Sequence, residues 1–149
     1  MKYIVVEPHA DDALIGCFHL FRKGLVKAVI CKDKDKSRVA ETQKFCKDMN
    51  VEMITISDVK SGDVVLLPSW QDDHFQHKQT NVMYRALCNN KGASTGFYTT
   101  NMNTEFTREL PPWKQKEKLS MLNTYYSSQS DLWKYDYKYW LFEGVVVEC

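Results

Sequence analysis

Two short polar clusters supply the residue types that hydrolytic chemistry requires. The first contains His9, Asp11 and Asp12, and the second contains His74 and His77. Imidazole nitrogens and carboxylate oxygens are ligands that Zn²⁺ and similar divalent ions accept in proteins. A catalytic zinc site commonly has three protein ligands and an open position for water. His9, Asp12 and one of the two later histidines would complete that number.

The side chains that remain after this count match the other roles of metal-assisted amide hydrolysis. Asp11 lies next to Asp12 and could take a proton from a metal-bound water, and the histidine left over could donate to a developing oxyanion. Each cluster also has an ordinary interpretation: two aspartates before a helix often cap it, and H-x-x-H in a polar loop often has no function. Because each cluster follows a strand of the same predicted sheet, we favour the metal site.

Apolar β-branched runs alternate with amphipathic segments along the chain. Strands are predicted at 2–7, 26–31, 51–56, within 61–69, and at 94–103. Helices are predicted at 11–23, 37–50, 79–90 and 111–129, and the tail 137–149 reads as β-rich. This alternation predicts one α/β domain over 1–149, a Rossmann-like three-layer fold with a mainly parallel sheet.

The predicted sheet accounts for the position of the two clusters. In parallel α/β sheets, ligands bind outside the carboxyl ends of the strands. The first cluster follows the first strand, and the second lies in the polar loop after the fourth strand. We therefore expect both clusters, and the active site, at the carboxyl edge of the sheet. The remaining histidine, His19, falls in the middle of a helix and is interpreted as structural.

Several local features carry their own predictions. Ser37 and Glu41 form a pattern close to a capping box, which places the start of the second helix at Ser37. Aromatic residues alternate near the end of the chain, which suggests one strand face that is packed in the core, with an interface stripe as the alternative. These residues are Trp133, Tyr135, Tyr137 and Tyr139, followed by Trp140.

Composition excludes several classes of function. The net charge of +1 provides no field for nucleic acid or anionic lipid, and no apolar run approaches the ~20 residues of a membrane helix. The first residues lack the pattern of a signal peptide, so a cytoplasmic location is predicted. The five cysteines are odd in number and have no CxxC pair, which favours reduced thiols. A homo-oligomer is left open. The cysteines are Cys17, Cys31, Cys46, Cys88 and Cys149.

The motifs resemble those of the PIG-L/LmbE-like zinc-dependent N-deacetylases. That family has P/A-H-P-D-D-E after its first strand and H-P-D-H later, and this chain has "PHADDA" at 8–13 and "HFQH" at 74–77. Arg38 and Glu41 match an R-x-x-E helix of the family. The segment "KEKLSMLNTYYSSQ" at 116–129 resembles its late K-x-x-x-L and S-Q helix. The resemblance covers most of the chain, in order.

The resemblance implies a role for each site residue. His9, Asp12 and His77 would be the zinc ligands, and Asp11 would be the general base. His74 would stabilise the tetrahedral oxyanion or protonate the leaving amine. Arg38 would contact the substrate, although a surface arginine paired with Glu41 on one helix face is the alternative.

The resemblance also implies a substrate, an N-acetylated sugar or sugar conjugate of the N-acetylglucosamine type. The sequence itself does not identify a sugar. Trp70, Phe75 and Tyr98 could stack on a ring, but aromatic residues near strand ends more often belong to the core. The chain is also shorter than most members of the family, so the loops that usually build the sugar pocket must be short here.

Two positions depart from the family pattern. Ala13 replaces the glutamate after the aspartate pair, so one supporting carboxylate is missing at that position. Gln76 replaces the aspartate before the last ligand histidine, which normally orients a histidine. Asp72 and Asp73 are the nearby carboxylates that could take over this role.

Two other classes of function compete with the hydrolase. A binding or regulatory protein could keep the fold and the metal without catalysis, as the two departures and the short chain suggest. A receiver-type phospho-acceptor would bind Mg²⁺ through acidic residues after the first strand, with an aspartate at the end of the third strand. Asp58 follows the third strand, but the lysine expected after the last strand is absent, and His74 and His77 would have no role.

Overall fold

The computed structural model describes residues 1–100, 107–136 and 138–147. The strands are β1 Tyr3–Glu7, β2 Val26–Cys31, β3 Glu52–Met53, β4 Val64–Pro68, β5 Ser94–Thr99, β6 Arg108–Glu109 and β7 Phe142–Val147. The helices are α1 Asp12–Arg22, α2 Lys36–Asp48, α3 Phe75–Asn90, α4 Pro112–Tyr125, α5 Ser130–Tyr135 and α6 Lys138–Leu141. Short 3-10 turns span Ile56–Asp58 and Ser127–Gln129.

These strands form one seven-stranded sheet in the order β3-β2-β1-β4-β5-β7-β6. The first five strands of that order pair in parallel, whereas β7 runs antiparallel to both β5 and β6. The α/β class and the mainly parallel sheet predicted from the sequence are thereby confirmed. The chain moves outward from β1 to β3 on one side, then returns to build β4 and β5 on the other side.

Alternating residues of the parallel strands face two separate clusters of buried side chains. Val5, Val29 and Leu66 pack with apolar residues of α1, α2 and α4. Their neighbours in sequence, such as Val6 and Leu67, pack in a second cluster that includes Cys88 of α3. The continuous apolar runs of β1 and β4 follow from this burial on both sides.

Helix α1 is kinked at Cys17, which has φ of −126° and ψ of 24°. The Ile15 carbonyl and the His19 N–H, which would bond to each other in a regular helix, each meet a side chain at this kink. Lys118 Nζ donates to the Ile15 carbonyl, and the His19 N–H donates to Glu143 Oε1 over 3.0 Å. Side chains that enter the backbone ladder in this way are a recognised cause of helix kinks.

The kinked segment packs closely against β5. A Cβ atom at Gly16 would lie 2.1 Å from Cδ2 of Tyr98, so only glycine allows this approach. Tyr98 is fully buried, and its hydroxyl donates to the Val6 carbonyl over 2.7 Å. The core interpretation of Tyr98 is confirmed, and this ring is not available to stack on a ligand.

Several element boundaries differ from the sequence prediction. Helix α2 begins at Lys36 and is capped by Asp35, which accepts the N–H groups of Ser37 and Arg38, so the start at Ser37 was wrong. An aspartate carboxylate is as good a cap as a serine hydroxyl and stands two residues earlier. Strand β3 covers only two residues of the predicted 51–56, because the chain then turns into the 3-10 helix.

Helix α3 begins at Phe75 rather than at residue 79, so His77 belongs to its first turn and not to a loop. The predicted β-rich tail at 137–149 contains the short helix α6 before β7. The single strand face of alternating aromatics was wrong, because Trp133 belongs to α5 and Tyr139 to α6. Trp133 does lie in the core, where its Nε1 donates to Asn123. Residues 101–103 of the predicted fifth strand, Tyr137 and the end of the tail at 148–149 lie outside the described residues.

Two further expectations concern the whole chain. Across the described ranges, no helix combines the length and apolarity that a membrane crossing needs. The cysteines described at 17, 31, 46 and 88 are all free thiols, and Cys17, Cys46 and Cys88 are buried. The burial of these three agrees with their interpretation as small apolar side chains. Cys149 lies outside the described residues.

Candidate metal centre

The site lies where the strand order reverses. Strands β1 and β4 are adjacent and parallel, with Val5 opposite Leu66, so the segments that follow them leave the sheet side by side. The first segment carries His9 and leads into α1, and the second carries His74 and leads into α3. A crevice outside the carboxyl ends of two such strands is the usual ligand site of open α/β sheets.

Three atoms from these segments form a nearly equilateral triangle. His9 Nδ1 lies 3.2 Å from Asp12 Oδ2 and 3.3 Å from His77 Nε2. The third side, between His77 Nε2 and Asp12 Oδ2, measures 3.1 Å. His9, Asp12 and His77 therefore form a group that could hold a metal ion, as the sequence predicted.

In each ligand imidazole, the outer nitrogen, which is the ring nitrogen that is not part of the triangle, has its own hydrogen-bond acceptor. His77 Nδ1 donates to Asp72 Oδ2 over 2.8 Å, and that carboxylate also accepts the Thr100 hydroxyl over 3.1 Å. His9 Nε2 donates to the side-chain oxygen of Gln76. With a proton on each outer nitrogen, the lone pairs of His9 Nδ1 and His77 Nε2 face the centre of the triangle.

Neighbouring charges shift the pKa values within the triangle. Burial lowers the pKa of His77, but the Asp12 and Asp72 carboxylates outweigh burial and raise that pKa to about 10. The hydrogen bond to Asp12 raises the pKa of His9 above its usual value. Burial opposes the ionisation of Asp12, yet the two imidazoles hold the pKa of Asp12 well below its usual range. A cation that binds here must therefore displace protons.

Asp11 is buried at the start of α1 and lines the same cavity as the triangle. Its Oδ2 accepts no hydrogen bond from the described part of the chain. Burial, together with the carboxylates of Asp12 and Glu7, raises the pKa of Asp11 well above its usual value. Its backbone has φ of 115°, a conformation that side-chain-bearing residues rarely adopt. A buried acid with a raised pKa in a cleft has the features of a proton-transfer group.

His74 is exposed and stands just before α3, where its Nδ1 accepts the Gln76 N–H over 3.2 Å. The neutral ring then carries its proton on Nε2, as a hydrogen-bond donor. Partial burial and the neighbouring His77 and His9 lower the pKa of His74. The ring centroid of His74 lies 4.8 Å from that of His9 and 5.0 Å from that of His77. The structure thus brings all three histidines together.

A cavity of about 670 Å³ opens over the triangle, within the range of small-molecule sites. Arg38 lines it, but its guanidinium donates to Gln129 and its Nε lies 3.2 Å from Asp33. Glu41 instead accepts the Ser128 hydroxyl, so the pairing of Arg38 with Glu41 does not form. The far wall comes from the segment after α4 and from α5 and α6.

Other side chains singled out in the sequence lie apart from the cavity. Trp70 and Phe75 are 53% and 72% exposed and do not line it. His19 pairs with Glu143 at 2.8 Å, which confirms a structural role. Asp58 accepts the Thr55 N–H in the 3-10 turn after β3, on an exposed surface, so it does not join an acidic cluster of the receiver type.

Sequence reasoning did not identify two carboxylates of the site. The sequence does not distinguish Asp72 from Asp73, because the bond from His77 to Asp72 depends on the geometry of the loop. Glu7 was treated only as the end of a strand, although it is fully buried and burial raises its pKa to about 7. A charged residue closing an apolar run was the available signal for Glu7.

Comparisons of the chain with family models, with curated proteins and with solved structures find no significant match. The resemblance to the deacetylases therefore stays a prediction that depends on the motifs alone. The geometry of the site is independent of that resemblance.

Proposed function

We propose that this chain is a divalent-metal-dependent amide hydrolase, with zinc as the ion and removal of an acetyl group from an N-acetylated substrate as the reaction. The observation that carries the proposal is the triangle of His9 Nδ1, Asp12 Oδ2 and His77 Nε2, with sides of 3.1–3.3 Å. Tetrahedral zinc with ligand bonds of 2.0–2.1 Å separates its ligand atoms by about 3.3 Å. The donor set and its spacing fit that ion.

Charge balance supports a cation at this place. Glu7, Asp11, Asp12 and Asp72 are all buried within or behind the site. Burying several carboxylates is costly unless positive charge compensates them. Two imidazoles offer at most two positive charges, and a divalent ion would offer the same charge while leaving both rings neutral. The bond from His77 to Asp72 also matches the carboxylate–histidine pairs that support zinc sites.

When bound, such an ion supplies Lewis-acid chemistry, which polarises an acyl carbonyl and acidifies a water molecule. Asp11 accepts the proton of the attacking water, since its Oδ2 is not engaged by the described residues. His74 donates from Nε2 to the oxygen on which charge develops, because its Nδ1 is held by the Gln76 N–H. Asp11 then returns its proton to the leaving amine, which balances the reaction.

The finer predictions from the sequence belong to the same proposal. They comprise a Rossmann-like three-layer arrangement, membership of the PIG-L/LmbE-like deacetylases, an N-acetylglucosamine-type substrate and a cytoplasmic location. Both faces of the sheet carry buried clusters, which supports three layers. Arg38, Ser128 and Gln129 line the cavity as polar groups that suit a hydroxylated substrate.

Zinc stoichiometry and acetate release test this proposal together. After metal removal and reloading, we expect one zinc per chain, a higher melting temperature with zinc, and loss of both in His77→Ala. The zinc-loaded protein should release acetate from N-acetylated sugars. Zinc bound at this site without any such hydrolysis would overturn the hydrolase and leave the non-catalytic binding protein. Absence of stoichiometric zinc would overturn both.

A further inference from the structure

The first turn of α1 is capped by an unexpected residue. Asp11 stands at the N-cap position, where a side chain normally accepts the N–H two or three residues later. Within the residues described, the Asp11 side chain makes no such bond. Its φ of 115° and ψ of −28° also differ from the extended backbone of ordinary N-cap residues.

Glu7 accepts the backbone N–H that an N-cap side chain at Asp11 would otherwise accept. Glu7 Oε2 accepts the Ala13 N–H over 3.2 Å, two residues after the N-cap position. Its other oxygen accepts the Thr42 hydroxyl over 2.7 Å, and that hydroxyl lies 3.1 Å from the hydroxyl of Tyr126. The Glu7 carboxylate is therefore held between α1 and α2, with α2 in turn linked to the end of α4.

We propose that Glu7 is a positioning residue: by capping α1 from β1, it leaves the Asp11 carboxylate free to face the cavity. This inference rests on the proposed function, in which Asp11 is the base. If Asp11 capped the helix, one of its carboxylate oxygens would be bonded to a backbone N–H and would not be available to accept a proton from water. The Ala13 side chain is apolar, so the backbone N–H is the group of Ala13 that needs a partner at the start of the helix. Glu7 accepts that N–H.

Amide exchange at Ala13, measured by NMR on the metal-free protein, tests the capping directly. In the parent, Asp11→Ala should change the Ala13 exchange rate by less than about twofold, since Asp11 does not cap. In a Glu7→Ala background, Asp11 takes over the cap, and the same change should accelerate exchange about tenfold. Equal effects of Asp11→Ala in both backgrounds would overturn the proposal, because a purely structural Glu7 would not couple to Asp11.

Glu7→Gln covers the case in which Glu7→Ala does not fold. Its amide oxygen can still accept from Ala13, so exchange at Ala13 should stay within about threefold of the parent, and Asp11→Ala should remain silent. Fast exchange at Ala13 in Glu7→Gln that Asp11→Ala does not increase further would contradict the capping by Glu7. Thr42→Val is the matched control, because it removes the hydroxyl bonded to Glu7 Oε1 and leaves the bond of Glu7 Oε2 to Ala13.

Hydrolysis provides the second readout. Glu7→Ala should lower kcat about tenfold or more with KM and zinc content unchanged, whereas Thr42→Val and Glu7→Gln should keep kcat within about threefold. Loss of kcat in Glu7→Gln with Ala13 still protected would overturn the positioning role, since the charge of Glu7 and not its cap would then matter. If the parent releases no acetate, the proposed function fails, and the exchange measurements still decide which residue caps α1.

Discussion

His77 donates its Nδ1 hydrogen to Asp72 over 2.8 Å, and both side chains are about 3% exposed. The opposite nitrogen of the same ring faces His9 and Asp12. Asp72 thus fixes both the orientation of the imidazole and the position of its proton. Asp72 also accepts the Thr100 hydroxyl and the His74 N–H, so the carboxylate itself is held in place.

Asp72→Asn should weaken zinc binding 10–100-fold, roughly the cost of losing such a supporting carboxylate. An amide accepts the His77 hydrogen less strongly, and its NH₂ group can force the other tautomer. Competition with a chelator of known affinity measures the change. Asp73→Asn, at the exposed neighbouring position, is the control and should stay within about threefold. Unchanged zinc affinity in Asp72→Asn would show that the hydrogen bond does not support the metal ligand.

Asp11→Asn should lower the rate of acetate release about 10²–10⁴-fold, the usual contribution of a general base. Zinc content should remain that of the parent, since Asp11 is not one of the three triangle residues. Asp58→Asn, on an exposed turn distant in the fold, controls for the loss of a carboxylate. If Asp11→Asn still turns over substrate at the parental rate, the base has been assigned to the wrong residue.

Gly16→Ala should destabilise the fold by about 3 kcal/mol or more, because the added Cβ overlaps the buried ring of Tyr98. Gly24→Ala is the matched control: its φ is 65°, but a Cβ there meets nothing within 4 Å. Gly24→Ala should cost only about 1 kcal/mol of backbone strain. Urea unfolding of the metal-free proteins measures both, and equal losses would contradict the close contact between Gly16 and Tyr98.

The buried Lys118 predicts a particular pH dependence. Burial lowers the pKa of Lys118 from 10.5 to about 8, against the opposing effect of Glu143. Between those two values the unfolded chain binds more protons than the folded one, so the contribution of Lys118 to stability rises with pH. From pH 7 to 9.5, the stability of the parent relative to Lys118→Met should increase by about 2 kcal/mol.

Urea unfolding at several pH values measures that difference, and the subtraction removes the titration of thiols and phenols common to both proteins. Lys116→Met, an exposed lysine of the same helix, is the control and should follow the parent at every pH. A flat difference between the parent and Lys118→Met would mean that Lys118 is not buried as a titrating group.

The sequence predicted the class of fold because its strongest signals are local. Continuous apolar runs such as Val64–Leu67 identify strands buried on both sides, and these alternate with helical patterns. The sequence predicted the helix boundaries less accurately, because several neighbouring residues can act as the N-cap, as Asp35 and Ser37 show at α2. The aromatic alternation from Trp133 was misleading, because Trp133 lies in the short helix α5 and Tyr139 in α6, and a period of two also occurs by chance outside strands.

The site was predictable where it depends on strand ends and not where it depends on side-chain orientation. That His9, Asp12 and one histidine of the H-x-x-H pair meet follows from the rule that parallel strands deliver their ends to one edge. The choice of His77 over His74 came from the resemblance to the deacetylases. The bond that His9 donates to the side-chain oxygen of Gln76 could not be predicted from the motif, because it depends on Gln76 lying in the first turn of α3. Glu7 was missed for a similar reason, since its partner Thr42 lies 35 residues later and meets it only in the folded chain.

The break in α1 has a consequence for how the polypeptide is made. The carbonyl of Ile15 has its partner 103 positions later, and the N–H of His19 has its partner 124 positions later. On the ribosome, the helix that carries Asp12 therefore emerges long before these two partners and cannot make both contacts until Glu143 has been translated. A nascent chain halted before Glu143 would carry both clusters of polar residues and still lack the contact that His19 makes with Glu143.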